Sequence, residues 1–371
     1  MSFDDFCIWF NVLFVGRRAD DRWTRMTVRS CWMDRSAGGC CPNNSSWRNN
    51  PQWILKIRRP TRLVMSLTLP PPESTTDEAA DKAICIQILR GNAGSDSRRR
   101  RLTVNDDAEV VVSSEPRFSR RIVSECTLEA SDAPYILMPC TYEPGQESSF
   151  TLVIRSDDAD DDGKPDFSFE PVRPRDDWVQ TELKGSWSEL NGGGGSPGTA
   201  GFAQNPQLHL RVKARGRFFL FVDHEGVEKD LRAESGMQAA VSFPQIGVAV
   251  ALGDGSDRLP VSAIMPQHAP AVARDGVVFE CVLEAAEVPY VVIPYLQDPT
   301  TSLGQHPNLS FRLCVYSDAP FELGGSGDHE LCRPDCDYDC KDCPMFAVYE
   351  RLHTIERGLD RHLKYLSALQ F

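Results

Sequence analysis

Four cysteines crowd one short segment: Cys332, Cys336, Cys340 and Cys343. Four thiolates this close can hold one zinc ion tetrahedrally. The spacing, three, three and two residues between neighbours, is not that of a standard zinc knuckle or ribbon. Unliganded, lipidated or redox-active thiols therefore stand beside zinc as readings. Asp335, Asp337, Asp339 and Asp342 interleave with the cysteines. Their charge raises thiol pKa values and favours a metal over acylation. A second group, Asp158, Asp160, Asp162 and Asp166, opens like a calcium-binding EF-hand loop and reaches Gly163. Phe169 stands where that loop needs a bidentate glutamate, which excludes a true EF-hand. A looser calcium site built from loop carboxylates and a solvated acidic linker are the two readings left. Arg98, Arg99, Arg100 and Arg101 follow the polar stretch Asn92 to Ser97. They form either a solvated loop or a contact for acidic lipid or a protein partner.

The chain around these groups has 371 residues and a formal charge of −13. Its length suits two domains with tails, and its hydrophobic fraction of 41% suits a soluble globular protein. The acidic balance argues against broad nucleic-acid binding, which needs a basic surface. Thirteen cysteines is an odd number, and Asp4 and Asp5 sit where a signal peptide would carry positive charge. No apolar run reaches the ~20 residues that span a bilayer. The expectation is a cytoplasmic protein with reduced thiols.

An internal duplication organises the sequence. Trp23 recurs as Trp178, Trp32 as Trp187, and Asn50-Pro51-Gln52 as Asn205-Pro206-Gln207. Glu125-Cys126 recurs as Glu280-Cys281, Pro134-Tyr135 as Pro289-Tyr290, and Pro139 as Pro294. Each offset is 155 (178−23, 205−50, 294−139). After Pro139 the second copy gains six residues, so that Phe150 matches Phe311 at 161 (311−150). That insertion falls at Glu143-Pro144-Gly145 against Asp298 to Gly304, expected to be a turn in both copies.

The repeated blocks alternate with a period of two, as half-buried strands do. Trp53, Leu55 and Ile57 share one face, as do Leu208, Leu210 and Val212, and Phe150, Leu152 and Ile154. Short alternating segments between Gly, Pro, Asn and Asp turns predict an all-β fold of two tandem antiparallel sandwiches. The expected boundaries are 19–156 and 176–323, with an acidic linker at 157–175. A Cys-rich segment follows at 324–343 and an amphipathic or coiled-coil helix at 344–371. In that helix Val348, Leu352, Ile355, Leu359, Leu366 and Leu369, with His362, follow 4-3 spacing. They form either a homodimer seam or a face packed on the protein's own sandwich. The paired tryptophans, with Trp47 and Trp53, are expected to be core aromatics.

These residues resemble a known family. Trp32, Ala37-Gly38-Gly39-Cys40 and Trp47 to Trp53 resemble the opening of the calpain C2-like sandwich, also called domain III. Gly185-Ser186-Trp187 with Asn205 to Leu208 does so again, and Leu128 to Phe150 resembles that domain's closing strands. Two such domains in series are similar to the C-terminal half of the calpain-7 and PalB-like branch, and residues 1–18 resemble the end of a calpain protease core. In the second copy Gly192 to Gly198 replace the Ala-Gly-Gly-Cys stretch, which puts that loop's role there in doubt. The family implies C2-like domains that bind a protein partner or acidic lipid, with calcium as a modulator.

Calpain proteolysis needs a Cys, a His to deprotonate it and an Asn to orient the His. Cys31-Trp32 and Asn50-Pro51-Gln52-Trp53 imitate two of those segments. Both belong to the repeat, however, and the first histidine in the chain is His209. The expectation is a non-catalytic regulatory or interaction protein. The alternatives are the C-terminal part of a calpain-type cysteine endopeptidase whose core lies upstream, and a zinc-dependent adaptor acting through its Cys-rich tail.

Overall fold

The computed structural model describes residues 23–325, apart from 43, 72–81, 158–163, 189–192, 226–242, 257–258, 260–266, 269–270, 273 and 306–307. The first repeat forms β1 (Thr24–Trp32), β2 (Trp53–Ile57), β3 (Thr61–Thr68), β4 (Ala83–Arg90) and β5 (Val110–Ser113). It continues with β6 (Arg117–Phe118), β7 (Arg121–Leu128), β8 (Tyr135–Thr141), β9 (Ser148–Ser156) and β10 (Phe167–Pro171). One sheet has the order β1-β9-β3-β7 and the other β10-β2-β8-β4-β5, with β6 beside β4. Leu63, Leu67, Phe150 and Leu152 from the first meet Leu55, Ile84, Ile86 and Leu137 from the second in one core.

The second repeat builds the same object. Its strands are β11 (Val179–Ser188), β12 (Leu208–Val212), β13 (Gly216–Glu225), β14 (Ile246–Leu252) and β15 (Gln267–His268). Then come β16 (Gly276–Leu283), β17 (Tyr290–Leu296), helix α1 (Pro299–Gln305), β18 (Asn308–Ser317) and β19 (Phe321–Gly325). Apart from β6, which has no counterpart strand among the described residues, the orders β11-β18-β13-β16 and β15-β14-β17-β12-β19 match the first sandwich strand for strand. Every named strand pair in both is antiparallel. No helix among the described residues is long and apolar enough to cross a membrane.

Two expectations need correction. The supposed linker at 157–175 contains β10, which closes the first sandwich by pairing with β2. Phe167 and Phe169 enter its core, just as Phe321 and Leu323 of β19 enter the second. The aspartates around this strand hid its own alternation. The insertion after β17 is a short helix rather than a turn. Asp298 accepts the Thr301 N–H at 3.1 Å and its hydroxyl at 2.7 Å, satisfying donors at the helix start.

The period-two pattern holds at the predicted cores. Trp32 and Trp187 are buried, lie 4.3 and 4.5 Å from Phe150 and Phe311, and donate their indole N–H to the carbonyls of Pro139 and Pro294 at 3.0 and 3.1 Å. Where the copies differ, the volumes trade. Cys85 faces Cys140 across β4 and β8, with sulfurs 3.2 Å apart. The matching pair across β14 and β17 is Gly247 and Tyr295. A Cβ on Gly247 would lie 2.2 Å from the ring of Tyr295, itself 1% exposed. Gly247→Ala is therefore expected to destabilise the protein by about 1–3 kcal/mol through overpacking, read as a lower urea midpoint at unchanged slope.

Candidate functional site

The residues that recur in sequence brace the equivalent loops of each sandwich, and in the first those loops lie at the joint between the two. Asn50 accepts the Gly38 N–H at 3.0 Å and donates to the Gly39 carbonyl at 2.6 Å. Asn205 does the same with Gly194 and Gly195 at 3.2 and 2.8 Å. The glycine-rich loop that departs from the family pattern thus keeps its anchor. Gln52 donates to the carbonyls of Arg48 and Arg101 and accepts the Arg101 N–H at 2.8 Å. Gln207 clamps Ala203 and Leu259 identically, again with 2.8 Å to the Leu259 N–H. A buried amide satisfied at both ends is a rigid strut.

In the first sandwich these struts position side chains against the outer face of the sheet β11-β18-β13-β16. Leu102 packs with Trp178, Phe219, Phe221, Cys314 and Tyr316. Arg48, 1% exposed, pairs with Asp223 at 2.5 Å and lies 3.8 Å above the ring of Phe221. Burial opposes the Arg48 charge, but the neighbouring Asp223 carboxylate more than offsets this and raises its pKa. Arg35 pairs with Glu182, Arg217 with Asp96, and the Ser45 N–H donates to Asp275 at 2.6 Å. Aromatic packing and charge pairing together join two sandwiches that face each other through unlike surfaces.

This seam absorbs most of the arginine run. Arg100 pairs with Asp177 at 2.5 Å, and its carbonyl accepts the Trp178 indole N–H at 3.0 Å. Arg99 lies 4.5 Å over the Trp178 ring, and Arg101 pairs with Glu109 at 2.5 Å. Of the four arginines read either as a solvated loop or as a contact for lipid or a partner, Arg98 alone is exposed. The other three are engaged within the chain, Arg99 and Arg100 with Trp178 and Asp177 and Arg101 with Glu109, on a loop that the Gln52 strut holds at Arg101. Trp178 is correspondingly a seam residue and not a core one, and Trp23 is half-buried beneath Arg62. Asp177, directly before Trp178, was the sequence signal for an internal partner.

Beside the seam opens a cleft of about 690 Å³, walled by Trp47, Tyr142, Phe221, Phe243, Arg274 and Asp275. A smaller recess of about 370 Å³ adjoins it at Arg35, Asp223, His224, Glu225 and Arg312. Aromatic walls with charges of both signs at the rim suit a polypeptide better than a small metabolite. No group of three or more His, Cys, Asp or Glu among the described residues could hold a metal ion. The thiols are arranged for packing. Burial pushes Cys41 and Cys281 up to about 12 and Cys126 up to about 11, each with help from a nearby glutamate or cysteine. Cys31 is exposed on β1, opposite Ser149 of β9.

Of the candidate calcium residues, Asp166 is buried beside β10, with Arg59 at 3.4 Å. Asp158, Asp160 and Asp162 lie outside the described residues, as do Cys332, Cys336, Cys340 and Cys343, the helical seam from Val348 to Leu369, and residues 1–18.

A tandem of antiparallel sandwiches joined by a polar and aromatic seam is the class of protein that this fold defines. Residues 20–154 match the family model for domain III of the calpain large subunit. Over that stretch, and more loosely along its length, the chain is similar to proteins of the calpain family. It is 24% identical over 314 residues to a putative calpain-like cysteine protease A of Dictyostelium discoideum, covering 82% of this chain and 42% of that one. Serine/threonine-protein kinase 4 homolog B of the same organism is 27% identical over 193 residues, 50% of this chain and 16% of that one. Mouse calpain-5 is 22% identical over 173 residues, 42% of this chain and 26% of that one. The chain thus spans about two fifths of the length of the calpain-like protease A.

Proposed function

We propose that this chain is a non-catalytic, calpain-like regulatory and interaction protein of the cytoplasm, whose paired sandwiches offer the cleft between them to a protein partner. The observation that carries this reading is the use of the catalysis-like residues as scaffold. Asn50 has both ends of its amide bonded to Gly38 and Gly39, and Asn205 repeats the arrangement in a copy that has no preceding cysteine-tryptophan pair. An asparagine engaged in this way at both ends supports a scaffold role over one of orienting a histidine. The engagement of Arg99 and Arg100 at the seam, and of Arg101 with Glu109 in the first sandwich, favours a protein partner over an acidic membrane at that loop. The kinase relative also supports a module that is not tied to peptidase chemistry.

A second reading follows from the length comparison. The calpain-like protease A is more than twice as long as the segment matched here, so this chain could serve as the part of an intracellular cysteine endopeptidase that follows a protease core. Casein hydrolysis tests the primary reading. The purified chain is expected to release no fragments, and Cys31→Ser is expected to change nothing. Turnover by the wild type that disappears in Cys31→Ser would overturn it.

A further inference from the structure

The duplication pairs each face of one sandwich with a face of the other, and one such pair is used unequally. The outer face of β11-β18-β13-β16 is covered by loops of the first sandwich. Its counterpart, the outer face of β1-β9-β3-β7, carries no such cover among the described residues. The strand register lays out its side chains in rows. One row runs Arg25, Arg155, Val64, Glu125, the next Thr27, Val153, Ser66, Val123, and the third Arg29, Thr151, Thr68, Arg121. Arg62 adjoins the first row and pairs with Glu125. Arg25, Arg29 and Arg121 are exposed, and Val123 is 58% exposed.

The charge on this face is unusual. Arg25 lies directly opposite Arg155, an arrangement that destabilises a sheet unless something neutralises it. No carboxylate among the described residues pairs with Arg25, Arg29, Arg121 or Arg155. This basic face belongs to a chain of formal charge −13. On the second sandwich the equivalent rows hold Gln180, Tyr316, Phe219 and Glu280, then Glu182, Cys314, Phe221 and Val278, then Lys184, Arg312, Asp223 and Gly276. There, Glu182 and Asp223 receive Arg35 and Arg48 from the docked loops. The first sandwich has exchanged these acids for threonines and set arginines around them.

We infer that the outer face of β1-β9-β3-β7 is a docking surface for an acidic protein segment, rich in aspartate and glutamate, lying across Arg25, Arg29, Arg121 and Arg155. The duplicated face supplies the geometry, since there it takes polypeptide loops. The charge reversal supplies the chemistry, since complementary potentials direct which partner seats. This inference goes beyond the cleft reading and stands or falls separately from it.

The test measures fluorescence anisotropy of a fluorescein-labelled oligoglutamate peptide with the full chain at low salt. Binding is expected, weakening as salt is raised. The Arg25→Glu, Arg29→Glu, Arg155→Glu triple variant is expected to lose at least tenfold in affinity. Arg29→Glu alone should lose part of that, and Arg98→Glu, an exposed arginine away from this face, should match the wild type. No binding by the wild type overturns the inference. So does an equal loss in Arg98→Glu, or co-sedimentation with phosphatidylserine vesicles that the triple variant abolishes while peptide binding persists. Each of these results leaves the casein experiment and the cleft untouched.

Discussion

Replacing Arg48 with alanine is expected to lower stability by about 3–5 kcal/mol, the usual cost of breaking a buried ion pair by removing one partner. The guanidinium is 1% exposed, while the Asp223 side chain is 17% exposed. The aspartate retains some solvent after the change, which sets the expectation nearer 3 kcal/mol. Loss of the stack on Phe221, 3.8 Å away, acts in the same direction. Chemical denaturation monitored by near-ultraviolet circular dichroism checks the size. It also checks a qualitative consequence, because Arg48 joins the sandwiches and not the sheets within one. A single wild-type transition should divide into two in Arg48→Ala. The Arg48→Met, Asp223→Leu double variant should recover most of the stability, since an apolar pair of similar volume leaves no buried charge unpaired. A shift below 0.5 kcal/mol in Arg48→Ala would mean that the seam is not a structural joint.

Trp187→Ala and Trp32→Ala are each expected to cost about 3–5 kcal/mol, and the two values should agree within about 1 kcal/mol. The reason for the magnitude is burial, as both indoles are at most 1% exposed. The reason for the agreement is that the environments coincide, with a proline carbonyl at 3.0 or 3.1 Å and a phenylalanine ring at 4.3 or 4.5 Å. In the Arg48→Ala background, where the transitions separate, each tryptophan change should move the transition of its own sandwich only. Trp178→Ala is the control for position. Its indole bonds to Arg100 across the seam, so it should loosen the joint and leave both cores folded. Unequal costs for Trp32 and Trp187 would show that the repeat has diverged in stability despite its shared contacts.

Much of this architecture was legible in the residues. Trp32 and Trp187 could be recognised as core because each sits in strand phase and in register with its copy. Asn50 and Asn205 could be recognised as scaffold for the same reason. Strand β10 was obscured because composition and pattern disagreed there: aspartates suggested a linker while Phe167, Ser168 and Phe169 alternated like a strand. The role of Arg99 to Arg101 was harder to read. Asp96 and Glu109 reach them from within the first sandwich, while Asp177 and Trp178 do so only where the second sandwich docks. The cleft was not legible at all, since it exists only between two separately folded bodies.

The joint between the sandwiches also has a polarity. Loop ends of one body rest on the broad side of the next, so the contact is heterologous and has no two-fold axis. Repeating the same step would add bodies head to tail, like vertebrae, with every joint alike. While such a column stays open, one terminus presents a bare broad side and the other a bare set of loop ends, and a pair of sandwiches is its shortest member.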